Sequence, residues 1–149
     1  MCKGAPKYDY MKYWRVIRYW VKAKYKITNP ELEMLLFLHS EGLFNKHRFK
    51  EFEQCMSWDK PRFYKLLKDG WIVVWRKRQG KTATLYQLSY KGKRMIDNVY
   101  KKLNGETIGE SPSCNPLFLS NVSYADKVYR NQIIEMNKFI KQQQRLSPE

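Results

Sequence analysis

The chain has 149 residues, of which 43% are hydrophobic and 15% aromatic, enough for a packed core and too many for a disordered chain. Its net charge of +15 makes a polyanion the natural partner, with an acidic membrane surface as the competing reading. No apolar run approaches the roughly 20 residues that span a bilayer, and cations interrupt every apolar stretch from Lys7 to Lys26, so neither a membrane span nor a signal peptide is expected.

The charge is uneven. Residues 1–27 hold eight Lys/Arg against one acid, residues 28–104 sixteen against eight, and residues 105–149 five against five. The cysteines Cys2, Cys55 and Cys114 are far apart and form no CxxC pair, and His39 and His47 complete no ligand set. No metal, no cofactor and no disulfide is expected, and the thiols fit a reducing, cytoplasmic setting, whether a bacterial nucleoid or the host cytoplasm of a virus.

Lys7 to about Tyr25 reads as a helix. Tyr10, Tyr13, Trp14, Ile17, Trp20 and Val21 recur at three- and four-residue steps as one apolar face, with Lys12, Arg15, Arg18 and Lys22 mostly off it. That face suits a core or a dimer contact; the basic back is either solvated or in touch with phosphates, or lies on a membrane surface. Asn29-Pro30-Glu31 predicts the next helix start, with Asn29 as cap and Leu32, Leu35 and Leu36 buried before a stop near Gly42. Asn45 caps a third helix with Phe49, Phe52 and Cys55 inward, which makes Cys55 a small core residue.

Ser57 or Asp59 caps a fourth helix with Pro61 in its first turn. Phe63, Leu66 and Leu67 face inward; Arg62, Lys65 and Lys68 stand on the other side, and Gly70 supplies a left-handed stop. Trp71 to Trp75 and Leu85 to Leu88 are the strands of a hairpin, with Trp58, Trp71 and Trp75 as core and hairpin anchors and Tyr86 and Tyr90 at its base. The hairpin tip, residues 76–82, carries Arg76, Lys77, Arg78 and Lys81. Lys91 to about Leu103 is a further helix with Met95, Ile96, Val99 and Leu103 inward. Residues 104–121 read as a linker, with Leu117, Phe118 and Leu119 pinning it to the core. A last helix, about 123–144, turns Ala125, Val128, Tyr129, Ile133, Met136, Phe139 and Ile140 to one side.

This order predicts a mainly α fold with a small β-hairpin wing: a winged helix-turn-helix core flanked by N- and C-terminal helices. The domain reading is a basic N-terminal helix at 1–27, a winged helix at 28–104, a linker at 105–121 and an amphipathic helix at 122–149.

The run from Leu66 through Lys68-Asp69-Gly70-Trp71-Ile72 to Tyr86-Gln87-Leu88-Ser89-Tyr90-Lys91-Gly92-Lys93 resembles the MarR-type winged helix family, over roughly residues 8–104 and more loosely the last helix. The wing differs: family wings often carry an Asp-x-Arg tip, where this chain has Gln79-Gly80-Lys81-Thr82. The resemblance implies a transcriptional regulator that is a homodimer joined by its terminal helices. No residue set points to a small-molecule effector.

The expected partner is double-stranded DNA. Arg62 and Lys65 are aimed at base edges, Arg62 being the better guanine reader because its fork donates two bonds. Lys60 and Lys68 meet phosphates, and Arg76, Lys77, Arg78 and Lys81 hold the backbone or minor groove. The alternatives are a non-sequence-specific architectural or assembly protein, a protein-interaction module whose charge serves solubility, and RNA binding without an evident stacking platform. No glycine-rich phosphate loop, HExxH or GxSxG occurs, so an enzyme is not expected.

Overall fold

The structure is a computed structural model that describes residues 9–55 and 59–146. Along the chain run α1 (Tyr10–Tyr25), α2 (Asn29–Glu41), α3 (Lys46–Glu53), α4 (Lys60–Lys68), β1 (Ile72–Arg76), β2 (Leu85–Leu88), α5 (Tyr90–Leu103), a short 3-10 helix (Pro116–Phe118) and α6 (Tyr124–Leu146). The fold is mainly helical with one small antiparallel hairpin, in the order of a winged helix. Two compact units result, one within Ile27–Asn98 and one within Met1–Lys26 and Val99–Glu149; their boundary falls inside α5.

In the unit of Ile27–Asn98, helix starts are set by side-chain caps. Thr28, not Asn29, caps α2. Its extended backbone puts Asn29 inside the helix, its Oγ1 accepts from the Glu31 N–H at 3.4 Å, and its hydroxyl donates to Glu31 Oε1 at 3.1 Å. Asn45 caps α3 through the Arg48 N–H, and Asp59 caps α4 through the Arg62 N–H, each at 2.9 Å; Ser57 and Trp58 lie outside the described residues. Beneath the caps, Phe44, Phe49, Phe63 and Tyr86 interlock edge to face or tilted, with Phe49–Phe63 and Phe63–Tyr86 centroids 5.3 and 5.1 Å apart. Phe63 and Leu66 are buried and Leu67 half-buried, so α4 presents one apolar face to this cluster. Each fully buried side chain of this size contributes about 1.5–3 kcal/mol.

The helix α4 ends in a Schellman turn. Gly70 takes φ +82°, and the Trp71 N–H returns to the Leu66 carbonyl at 3.0 Å. Trp71 is therefore part of the turn, and the strand begins at Ile72 rather than at Trp71 as the sequence suggested. β1 pairs with β2 from Ile72↔Leu88 to Arg76↔Leu85, with a bulge at Trp75. Phe44 pairs with Tyr86 on the other edge of β2, by N–H···O bonds of 3.0 and 2.7 Å, as a one-residue third strand. Ser89 then closes the hairpin onto the turn: its N–H donates to the Trp71 carbonyl at 2.9 Å and its Oγ accepts from the Gly92 N–H.

Three burial expectations of this unit are overturned. Trp75, expected as a hairpin anchor, is 49% exposed on the bulge of β1. Cys55 is exposed, because α3 stops at Glu53 and the three-residue repeat breaks before reaching it. Tyr90, the first residue of α5, is 74% exposed and packs nothing at the wing base, whereas Tyr86 is buried.

In the other unit, α1 buries Tyr13, Val16, Ile17, Trp20 and Val21, while Tyr10 is exposed and Trp14 half-buried. The buried stripe of α6 is Ile133, Met136, Asn137 and Ile140, narrower than the sequence suggested: Ala125 and Phe139 are exposed. Tyr19 of α1 stacks on Tyr129 of α6 at 3.9 Å. Residues 104–121, read as a linker, are packed. Ile108 and Leu117 are buried and Phe118 is half-buried, while Leu119, expected to pin the segment, is exposed; Asn115 ties the loop by donating to the Gly109 carbonyl and accepting from the Leu117 N–H.

Candidate nucleic-acid interface

The winged helix unit positions the eight basic residues singled out in the sequence in three different ways. Lys60 and Lys68 stand at the two ends of α4, exposed and without an ion pair among the described residues. Lys77, Arg78 and Lys81 are exposed on the wing. Arg62 and Lys65 are ion-paired within the protein itself, and Arg76 is half-buried beside Trp75.

Arg62 folds back on its own helix cap. Its N–H and its Nη1 each donate to one carboxylate oxygen of Asp59, at 2.9 and 3.0 Å. Lys65 reaches 3.0 Å to Glu31 Oε1, and the Glu31 side chain is only 4% exposed against 52% for Lys65. The two side chains expected to reach base edges thus each have a carboxylate partner. Neither partner was apparent in the sequence as a competitor for them.

Arg76 sits at the bulge, half-buried, with its guanidinium 5.8 Å from the centre of the Trp75 ring. Val73, Val74 and Trp75 are exposed along β1. At the tip, Gln79 and Thr82 exchange N–H···O bonds of 3.1 and 3.0 Å around Gly80-Lys81, and Gly80 has φ +57°. Such a positive φ suits glycine and keeps the turn tight. Arg78 braces it, its N–H donating to Thr84 Oγ1 and its Nε to the Gly80 carbonyl. Lys77 and Lys81 remain without an ion pair among the described residues, as point charges on a fixed hairpin.

Compared with protein-family models, with curated proteins and with solved structures, the chain matches none.

One basic cluster went unread in the sequence. Lys46 and Lys50, one turn apart on α3, share a shallow depression with Lys60 and Tyr64, one turn apart on α4; its floor is Phe49 and Phe63. The Lys46 ammonium donates to the Tyr64 hydroxyl at 2.7 Å and lies 4.8 Å from its ring centre. That bond, with the charge of Lys46 and more weakly of Lys60 and Lys50, holds the Tyr64 phenol below the usual tyrosine range. The same bond raises Lys46 above the usual lysine range. The spacing Lys46–Lys50 behind the Asn45 cap was the available signal.

Among the described residues no group of His, Cys, Asp or Glu side chains could hold a metal ion, and no helix is long and apolar enough to cross a membrane.

Proposed function

We propose that this chain binds duplex DNA through α4 and the β1–β2 wing, as a MarR-like transcriptional regulator. The observation that carries this reading is the placement of free cations on both elements of one winged helix unit. Lys60 and Lys68 bracket α4, Lys77 and Lys81 stand on the wing, and the Schellman turn at Gly70 joins α4 directly to β1. Two basic elements locked together can meet the backbone on adjacent grooves of one duplex. Arg62 is the residue for base reading: its ion pair with Asp59 is partly exposed, so a guanine edge competes with a solvent-screened partner. Dimerisation through the terminal helices would supply the second half-site.

A second reading is favoured by the same ion pairs. With Arg62 and Lys65 occupied by Asp59 and Glu31, the remaining cations of α4 are lysine point charges, which suit phosphates rather than bases. The protein would then be an architectural or assembly factor with little sequence choice.

Selection of bound duplexes from a random library at near-physiological salt tests both. A palindromic motif with half-sites about 10 base pairs apart supports a dimeric regulator. Retained DNA with no enriched motif leaves the architectural reading, and no retained DNA sinks both. Neutralising Arg78 and Lys81 should lower the slope of log affinity against log salt by about 0.9 for each phosphate that the wing ceases to neutralise; an unchanged slope removes the wing from the interface.

A further inference from the structure

We infer that Lys46, Lys50, Lys60 and the Tyr64 hydroxyl form a seat for one backbone phosphate of the bound nucleic acid, on the α3 side of α4. The inference rests on the duplex-binding reading and extends the interface to a helix outside α4 and the wing.

Three observations carry it. The first is charge without compensation. Lys46, Lys50 and Lys60 line one depression, and none is ion-paired among the described residues, although the neighbouring cations Arg48 and Arg62 both are. Three ammonium groups on one patch repel one another, and an anion placed among them relieves that repulsion.

The second is direction. Lys46 donates to the Tyr64 oxygen, so the phenol's own O–H is left to donate elsewhere. Tyr64 is 50% exposed, which lets that O–H reach a group arriving from solvent. A phosphate oxygen is an acceptor only, and would take this bond together with those from the lysines.

The third is rigidity. Both helices are fixed beneath the patch by Phe49 and Phe63, whose rings lie 5.3 Å apart, and by the caps Asn45 and Asp59 at their starts. The helix positions that carry the four polar groups therefore keep their spacing without a ligand, and Lys46 is in addition tied to Tyr64. A phosphodiester beside α4 is the anion that the proposed docking brings to this place.

The test uses the full chain and three variants: Lys46→Gln/Lys50→Gln, which spares the α4 cations, Tyr64→Phe, and Lys77→Gln/Lys81→Gln as a wing control. All the substituted groups are exposed, and melting curves check that each variant folds. Duplex affinity is measured across a salt series, and the Tyr64 ring resonances are followed by NMR during titration with inorganic phosphate. The expected result is a salt slope lower by about one unit in the lysine variant. Tyr64→Phe should keep the slope and lose about tenfold in affinity, as for removal of a hydrogen bond to an anion. Inorganic phosphate should shift the Tyr64 signals of the parent protein but leave the Tyr64 signals of the lysine variant in place.

If the parent binds duplex and the wing control lowers the slope while the lysine variant does not, the seat is overturned and the DNA reading stands. If the parent does not bind duplex, the DNA reading falls and with it the phosphodiester as occupant; a phosphate-induced Tyr64 shift would then assign the seat to a free phosphate group instead. Absence of that shift together with an unchanged slope overturns the seat altogether.

Discussion

Lys65 of α4 places its ammonium 3.0 Å from a carboxylate oxygen of Glu31, which is buried in the first turn of α2. The pair fastens the candidate recognition helix to the start of α2. Glu31 also accepts the Thr28 hydroxyl, so its charge is solvated by two donors inside the fold. Removing Lys65 leaves a buried carboxylate with one of them. Lys65→Ala should therefore destabilise the protein by about 1–2 kcal/mol, less than for a fully buried pair because Lys65 is half exposed. Lys65→Met with Glu31→Gln should recover most of that loss. Urea unfolding at constant m-value reads both. An unchanged midpoint in Lys65→Ala would mean that the pair is a surface contact without structural weight, and would return Lys65 to the DNA-facing set.

Gly92 marks a second fastening point. A Cβ built there meets the Trp71 carbonyl oxygen at 3.0 Å, and that oxygen is itself fixed by the Ser89 N–H at 2.9 Å. The close approach lets α5 start directly over the exit of α4. Alanine is normally the better helix former by about 1 kcal/mol. Here Gly92→Ala should instead destabilise by about 1–2 kcal/mol, because the neighbour that must yield is backbone held by a hydrogen bond. Thermal unfolding decides the sign. A gain in stability would show that the Trp71–Ser89 turn gives way freely.

The element order was legible because it rests on local signals: helical apolar spacing, the Asn45 and Asp59 caps, and the glycine at position 70. What the sequence hid was non-local or too short to have a period. Phe44 contributes one residue to the sheet, and one residue shows no alternation. Thr28 and Asn29 are adjacent capping residues of similar strength, and the backbone at Thr28 decides between them. Residues 104–121 looked like a linker because their order comes from the amides of Asn115 and of the distant Asn137. The basic residues of α4 were legible as a face. The partner of Lys65 was not, since Glu31 lies 34 positions away, whereas Asp59, three positions before Arg62, was legible only as a cap. The α3 lysines carry only the weak signal of their one-turn spacing, because a solvated basic helix and a phosphate-binding one share one composition.

Asn137 is that distant amide. It is buried in α6, accepts the Ile108 N–H at 3.0 Å, and donates to the Ile108 carbonyl at 2.8 Å and to Glu110 at 3.0 Å. It thus serves the loop as a neighbouring strand would. Asn137→Ala orphans both backbone groups of a buried residue and should cost about 2–4 kcal/mol. Hydrogen exchange of the Ile108 amide should accelerate more than that of Val16 or Ile17 in α1. Equal acceleration at both places would mean that the bond stabilises the unit as a whole and does not order the loop in particular.

The Tyr19 hydroxyl donates to Asp126, and this bond, with burial and the carboxylate charge, pushes the Tyr19 phenol up from 10.0 to about 12. The folded pKa lies above the unfolded one, so the fold favours the protonated phenol. The resulting stabilisation is complete below pH 10 and is lost as the pH rises from 10 through about 12. Tyr19→Phe keeps the stack on Tyr129 and removes the bond, at a cost of about 1 kcal/mol at neutral pH. The stability difference between parent and variant should be constant from pH 7 to 9 and should shrink toward zero near pH 12. A difference that stays the same throughout the alkaline range would show that Tyr19 titrates alike in the folded and unfolded chain. The hydrogen bond to Asp126 would then carry none of the coupling between α1 and α6.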